Sequence, residues 1–242
     1  MLARVYLEAW QVTHRDLYRR VAVETLDYVL RDMTDTRGGF HSAEDADSEG
    51  EEGKYYVWTV REIHAVLGEN DGTEFCEEYG VSDAGNFEGN NILYKLRRSE
   101  PSSPEPDTTQ MDREKETRLA AMRKKLRKER EKRVRPARDD KVLAAWNGMM
   151  ISALARGYQI TEDERYLKAA ERAAEFVTAE MFRDGVLMRT YRGVDPSGGP
   201  GTSKLPGYLD DYAEMAGGLI DLYEASFDRR WLWWANRLAE EM

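Results

Sequence analysis

The chain has 242 residues, 41% of them apolar and six of them tryptophan, enough to bury the core of one large domain or two small ones. With 34% charged residues and a net charge of −10, its surface is well solvated and has no bias toward nucleic acid. No apolar run is long enough to span a bilayer, and no secretory signal opens the sequence; the single cysteine, Cys76, permits neither an internal disulfide nor a thiol metal cluster. The expectation is a cytoplasmic protein with no cofactor and no membrane partner, in which Cys76 is a small core residue.

The first element is a helix pair, "AWQVTHRDLYRRVA", and it recurs as "GYQITEDERYLKAA" and "LYEASFDRRWLWWA". An aromatic at Trp10, Tyr158 and Tyr223 is followed three residues later by a hydroxyl at Thr13, Thr161 and Ser226. A second aromatic follows at Tyr18, Tyr166 and Trp231, then alanine at Ala22, Ala170 and Ala235. Such self-similarity predicts a helical array. Each copy reads as a helix A, a tight turn and a helix B, with the hydroxyl as N-cap of B; Thr13 with Asp16, and Thr161 with Glu164, have capping-box spacing. The A helices, as in "VLAAWNGMMISALA", are apolar nearly all round and belong inside, whereas the B helices carry charge on one face and belong outside.

Next comes "GGFHSAEDADSEGEEGKYYVW", residues 38–58, with six carboxylates between Glu44 and Gly53. Asp45, Asp47, Glu49 and Gly50 imitate half of a calcium loop. An EF-hand needs a carboxylate where Tyr56 stands, and flanking helices, so the segment reads as a β-hairpin with a long tip at a pocket rim and no metal. His14, His41 and His64 offer no pair at metal-ligand spacing. Residues 60–138 read as an insertion, with a flexible linker at 99–110, "SEPSSPEPDTTQ", and a basic helix at 111–133. Arg113 to Arg133 holds eleven basic and four acidic residues, interleaved and without aromatics. Leu119, Met122 and Leu126 give it a narrow apolar stripe, which predicts a surface helix rather than a nucleic-acid contact.

Two segments carry candidate chemistry. In "RVRPARDDKVLAAWNG", Asp139, Asp140 and Lys141 are expected at the start of an inner helix, with Trp146 and Asn147 about one and a half turns further in. Arg135 precedes them. An aromatic platform, bidentate polar groups and carboxylates suit a sugar. Capping accounts for one Asp but not two, and Gly148 inside an apolar helix suits close helix contact. In "GYLDDYAE", Asp211 and Glu214 have capping-box spacing, which leaves Asp210 and Tyr212 to face the same mouth. Two Asp pairs at two helix starts supply a candidate acid and base, as glycoside chemistry requires.

These segments, together with "GNFEGNNILY" and "GYLDDYAEMAGGLIDLYEASFDRRW", make the chain resemble the thioredoxin-domain-containing family that includes spermatogenesis-associated protein 20. The match spans almost the whole chain. It implies a thioredoxin-like domain followed by an α/α toroid of six-hairpin glycosidase type, similar to N-acylglucosamine 2-epimerase, with no established activity. The thioredoxin-like part is absent here, and Ala137 stands where members often have a histidine before the "RDDK"-like segment. The resemblance implies a middle portion of the toroid.

The expectation is therefore a mainly α chain: a single incomplete domain over 1–242, a partial (α/α)6 toroid with a small β-hairpin on one face. Its expected function is carbohydrate binding or processing, of glycoside hydrolase or sugar epimerase type. Asp139, Asp140, Asp210 and Asp211 are the acid/base candidates. Trp146, Asn147, Tyr212, Arg135, Lys141, Asp45, Asp47 and Glu49 are the binding candidates. The alternative is a non-catalytic interaction module accompanying a thioredoxin-like domain. An open toroid edge predicts self-association, with Trp231, Trp233 and Trp234 as the contact.

Overall fold

The computed structural model describes residues 1–95, 110–193 and 201–242, and these form two compact units. The first comprises Met1–Ala43 and Arg138–Met242, the second Glu44–Ala137. The second unit starts before the insertion expected at 60–138 and takes in the acidic segment. The linker expected at 99–110 lies outside the described residues except for Gln110, which opens a helix.

The first unit is mainly helical and holds three A/B pairs of the α/α-toroid type: α1 (Leu2–Thr13) with α2 (Asp16–Asp32), α6 (Ala144–Thr161) with α7 (Glu164–Phe176), and α8 (Leu209–Ser226) with α9 (Arg229–Glu240). The intervening helices α3 (Val60–Leu67), α4 (Glu69–Glu78) and α5 (Gln110–Arg130) belong to the second unit. Helices α1, α6 and α8 pack side by side, each with its B helix behind it. Ile151, Leu154, Leu219 and Leu222 are fully buried in this core, and Ala22, Ala170 and Ala235 lie in the B-helix faces turned to it.

All three pairs use one turn. A non-glycine residue adopts the left-handed conformation at His14, Glu162 and Phe227, with φ of 54°, 60° and 56°. Its N–H donates to the carbonyl of Trp10, Tyr158 or Tyr223 at 2.7 Å in each case. The left-handed state costs about 1–2 kcal/mol per residue, which this bond and the packing beyond it offset. The repeated hydroxyl does not cap helix B. Thr13, Thr161 and Ser226 are the last residues of their A helices and donate back to the carbonyls of Ala9, Gly157 and Leu222 at 2.7–2.8 Å. The side-chain caps of α7 and α9 are Asp163 and Asp228, which accept from the N–H groups of Arg165 and Arg230.

Helices α6 and α8 meet backbone to backbone. A Cβ on Gly148 would lie 2.4 Å from the Glu214 carbonyl oxygen, and one on Gly218 2.3 Å from that of Gly148. This contact explains the glycine in an otherwise apolar helix.

Strands β1 (His41–Glu44), β4 (Arg138–Leu143), β6 (Val186–Arg192) and β5 (Phe182–Arg183) form a sheet in that order, with β7 (Thr202–Pro206) also pairing with β6. Two expectations change here. Asp139, Asp140 and Lys141 lie on β4 and not at a helix start, because "RDDKVL" pairs antiparallel with β6, Val142 opposite Tyr191. "GGFHS" does not pair with "KYYVW" either. The acidic segment closes on itself as a minimal hairpin of β2 (Asp47–Ser48) and β3 (Glu51–Glu52), while 54–58 turns away. Glu49 and Gly50 form its tip at positive φ, as two-residue hairpins favour.

In the second unit α3 (Val60–Leu67), α4 (Glu69–Glu78) and α5 (Gln110–Arg130) enclose Trp58, Ile63, Phe75 and Cys76. Leu119, Met122 and Leu126 form the buried stripe of α5. Burial pushes the Cys76 thiol pKa up, as suits a packed residue. The Tyr56 hydroxyl donates to Glu44 at 2.9 Å, and burial with that carboxylate pushes its pKa up to about 12.

Of the three tryptophans expected at an open edge, Trp231 is in the core and Trp234 packs on Phe182. Trp233 remains 55% exposed. Among the described residues no helix is long and apolar enough to cross a membrane.

The glycine contact gives a paired test. Gly148→Ala should lower stability by about 1–3 kcal/mol, the clash outweighing better helix propensity. Gly217→Ala, with nothing within 4 Å of the new Cβ, should gain up to about 1 kcal/mol. Urea melts that gave both variants the same midpoint would mean that α6 and α8 do not touch in this way.

Candidate functional site

The N-terminal ends of α6 and α8 converge on one carboxylate. Asp211 is 1% exposed and accepts from the Ala145 N–H at 3.2 Å, the Tyr208 N–H at 3.0 Å and Arg189 Nη1 at 2.8 Å. Helix α6 thus has no capping side chain of its own and borrows Asp211 from another helix. Asp211 is the third residue of α8, and its capping-box partner is Tyr208 and not Glu214. With its oxygens engaged by these donors, Asp211 latches the starts of α6 and α8 to Arg189.

Two further candidates are also structural. Asn147 is 1% exposed; its amide oxygen accepts from the Phe40 N–H at 2.8 Å, and its nitrogen donates to the carbonyls of Phe40 and Leu143. Tyr212 is buried, and its hydroxyl accepts from the Leu187 N–H at 3.0 Å. Both side chains are buried where the sheet packs on the helix ends.

The remaining candidates of this unit are accessible. Arg192 holds Asp140 at 3.1 Å through Nε and Asp139 at 3.3 Å through Nη2, and Lys141 Nζ adds a contact to Asp139 at 3.0 Å. Partial burial raises the Asp139 pKa, but hydrogen bonds from the side chain and backbone of Lys141 outweigh it and hold the carboxyl below the ordinary carboxylate range. Asp210 is exposed, 3.6 Å from Arg189. Trp146, next to the capped Ala145, is 51% exposed, and Tyr208 is 62% exposed with the Arg189 guanidinium over its ring at 4.6 Å. His41 Nδ1 lies 3.2 Å from the Asp140 carbonyl.

Arg189, Arg192 and Tyr208 were not legible as site residues. They sit in "VLMRTYR" and "GYLDD", where sequence shows only a connecting link; the signal is the strand pairing that sets β6 beside β4.

Asp45, Asp47, Glu49 and Arg135 belong to the second unit. There the Asp45 carboxylate accepts from the Asp47 N–H at 3.3 Å, Lys54 contacts Glu49 at 3.6 Å and Glu51 at 2.7 Å, and Arg135 lies 5.9 Å from the Tyr55 ring centre. Among the described residues no three His, Cys, Asp or Glu side chains are grouped as a metal site.

Comparison with known proteins adds to this geometry. Spermatogenesis-associated protein 20 of Homo sapiens is 37% identical over 269 residues, which cover 99% of this chain and 34% of that protein. The Mus musculus protein is 35% identical, with the same shares covered. The chain is similar to one third of spermatogenesis-associated protein 20. The similarity runs along almost the whole chain, which spans about a third of the length of these relatives. The family model for the D-glucuronyl C5-epimerase C-terminus matches residues 142–194. Among solved structures, cellobiose 2-epimerase from Bacillus thermoamylovorans has a TM-score of 0.38 and 13% identity, over 92% of this chain and 53% of that one. A sugar epimerase from a ruminal bacterium has a TM-score of 0.37 and 11% identity, over 99% and 73%.

The two neighbouring aspartates should behave differently. Asp211→Ala strands Arg189 and two helix N–H groups and should lower stability by about 3 kcal/mol. Asp210→Ala, in an exposed pair, should change it by less than about 1 kcal/mol. Denaturant midpoints decide; comparable losses would show that Asp211 is not the latch.

Proposed function

We propose that the chain is a carbohydrate-binding or carbohydrate-processing portion of an α/α toroid, with its saccharide site at the N-terminal ends of α6 and α8. One observation carries this reading: exposed Trp146 and Tyr208 stand at the starts of the same two helices, α6 and α8, whose unit presents carboxylates paired with arginines. An aromatic face covers the C–H side of a sugar ring, and fixed carboxylates and guanidinium groups bond its hydroxyls. The match to the D-glucuronyl C5-epimerase C-terminus supports a saccharide ligand in general and not its charge, since residues 142–194 include Trp146, Arg189 and Arg192 but none of the candidate carboxylates.

In this reading Asp140 and Asp210, the accessible carboxylates, are the acid/base pair. Asp139 and Lys141 fix Arg192 and the rim, and Asp211 positions Arg189. The chemistry is hydrolysis or epimerisation, and the substrate is a saccharide. A lone buried cysteine suits a reducing, cytoplasmic setting.

Isothermal titration calorimetry or a glycan array tests the site. Trp146→Ala should weaken saccharide binding at least about tenfold. No binding by either the parent chain or the variant would favour a second reading, an interaction module that serves the rest of a longer protein beside a thioredoxin-like domain. The chain's one-third share of its relatives motivates that second reading.

A second copy is also a proposed partner. Val12 of α1 and Trp233 of α9 are exposed apolar side chains. Light scattering should show a mass that rises with concentration in the micromolar range. A constant monomer mass with a cooperative melt would exclude it.

A further inference from the structure

Below the mouth, the first unit contains a cavity of about 290 Å³ walled by the three A helices. Its polar lining is Arg4 and Glu8 from α1, Ser152 from α6 and Glu214 from α8; Met1, Val5, Met149 and Gly217 supply apolar wall, and the exposed Val5 and Glu214 leave it open to solvent on one side. The size is near the lower end for a small-molecule site.

The polar groups are of two kinds. Some are locked. Arg4 Nη1 donates to Ser152 Oγ at 2.7 Å and to Asp221 at 3.0 Å, its Nε donates to Glu8 at 3.2 Å, and the Ser152 hydroxyl donates to Asp221. Asp221 is buried and is also faced by Arg156 at 3.6 Å. This network ties the three helices together and fixes the guanidinium. Others are open. Among the described residues, Arg4 bonds through Nε and Nη1 and leaves Nη2 unused, and no hydrogen bond or ion pair engages the Glu214 carboxylate. At Gly217 nothing lies within 4 Å of a built Cβ, so bare backbone forms that wall.

A fixed donor, a free acceptor and an apolar wall are the complement of a sugar ring, which presents hydroxyls at its rim and C–H groups on its faces. Glu214 is four residues after Asp210 on α8, so the two residues share a helix face with their Cβ atoms about 6 Å apart. The cavity therefore continues the mouth down the same helix.

From this we propose that the cavity is an inner saccharide subsite, with Glu214 and Arg4 as its hydrogen-bonding pair, and that the ligand is a neutral saccharide of at least two rings. This rests on the carbohydrate reading of the mouth. Neutrality follows from charge. Around the cavity Glu8, Glu214 and Asp221 are balanced by Arg4, Arg156 and the Met1 ammonium, but at the mouth Asp139, Asp140, Asp210 and Asp211 outnumber Lys141, Arg189 and Arg192. An anionic sugar would meet excess like charge at the mouth.

Calorimetry of the chain with cellobiose, glucose and glucuronate tests the inference. Cellobiose should bind more tightly than glucose, and glucuronate most weakly. Glu214→Gln removes the charged acceptor, and Gly217→Leu fills the cavity from a position with space for the side chain. Each should weaken cellobiose about tenfold or more and abolish its advantage over glucose, with the thermal midpoint retained. Cellobiose binding that is unchanged in both variants but lost in Trp146→Ala would overturn the inner subsite and leave the mouth reading standing. Preference for glucuronate would overturn the neutral class. Failure of all three sugars to bind the parent chain would remove the subsite together with the reading it rests on.

Discussion

The Asp211 carboxylate is the interaction on which the rest of the first unit depends. Two helices begin beside it, and each leaves backbone N–H groups with no partner in its own first turn. One carboxylate accepts from both ends and is neutralised by Arg189 from the adjoining strand. A buried charge is tolerable when it is paired and hydrogen-bonded, and here those same bonds fix the relative positions of α6, α8 and β6. The mouth residues Trp146, Tyr208, Asp210 and Arg189 are all within one or two positions of a group in this network, or are members of it.

Close approach of the helices makes that convergence geometrically possible. Gly148 and Gly218 remove the side chains that would hold α6 and α8 apart, and the backbones touch at the carbonyls of Glu214 and Gly148. Asp211 then reaches Ala145 across the crossing. The three identical left-handed turns keep each B helix against its A helix, so the outer layer supports the crossing without contributing to the mouth.

The chemistry at the mouth is one of paired charges. Arg192 with Asp139 and Asp140, and Arg189 with Asp210 and Asp211, place donors and acceptors side by side at fixed spacing. Such a surface offers donors and acceptors together, the complement of groups that both donate and accept. The aromatic faces of Trp146 and Tyr208 add the apolar component that a polar rim alone lacks.

The sequence by itself determined the helix pairs, their inner and outer roles, the buried stripe of α5 and the packing of Cys76. These depend on periodicity and composition within a single element, where apolar spacing directly encodes which face is buried. It also marked Asp139, Asp140, Asp210 and Asp211 as acid/base candidates and Trp146, Asn147 and Tyr212 as binding candidates, placing the first Asp pair at a helix start where the structure has β4. Tertiary structure alone decided which of the marked residues are free to bind. "RDDKVL" becomes a strand because β6 is there to pair with it, Asn147 and Tyr212 are consumed by backbone groups of distant segments, and the cap of α6 comes from Asp211, 66 residues away from Ala145. A hydrogen bond between side chain and backbone at that separation leaves no local pattern, since either partner alone looks like an ordinary polar or helical residue until the chain brings them together.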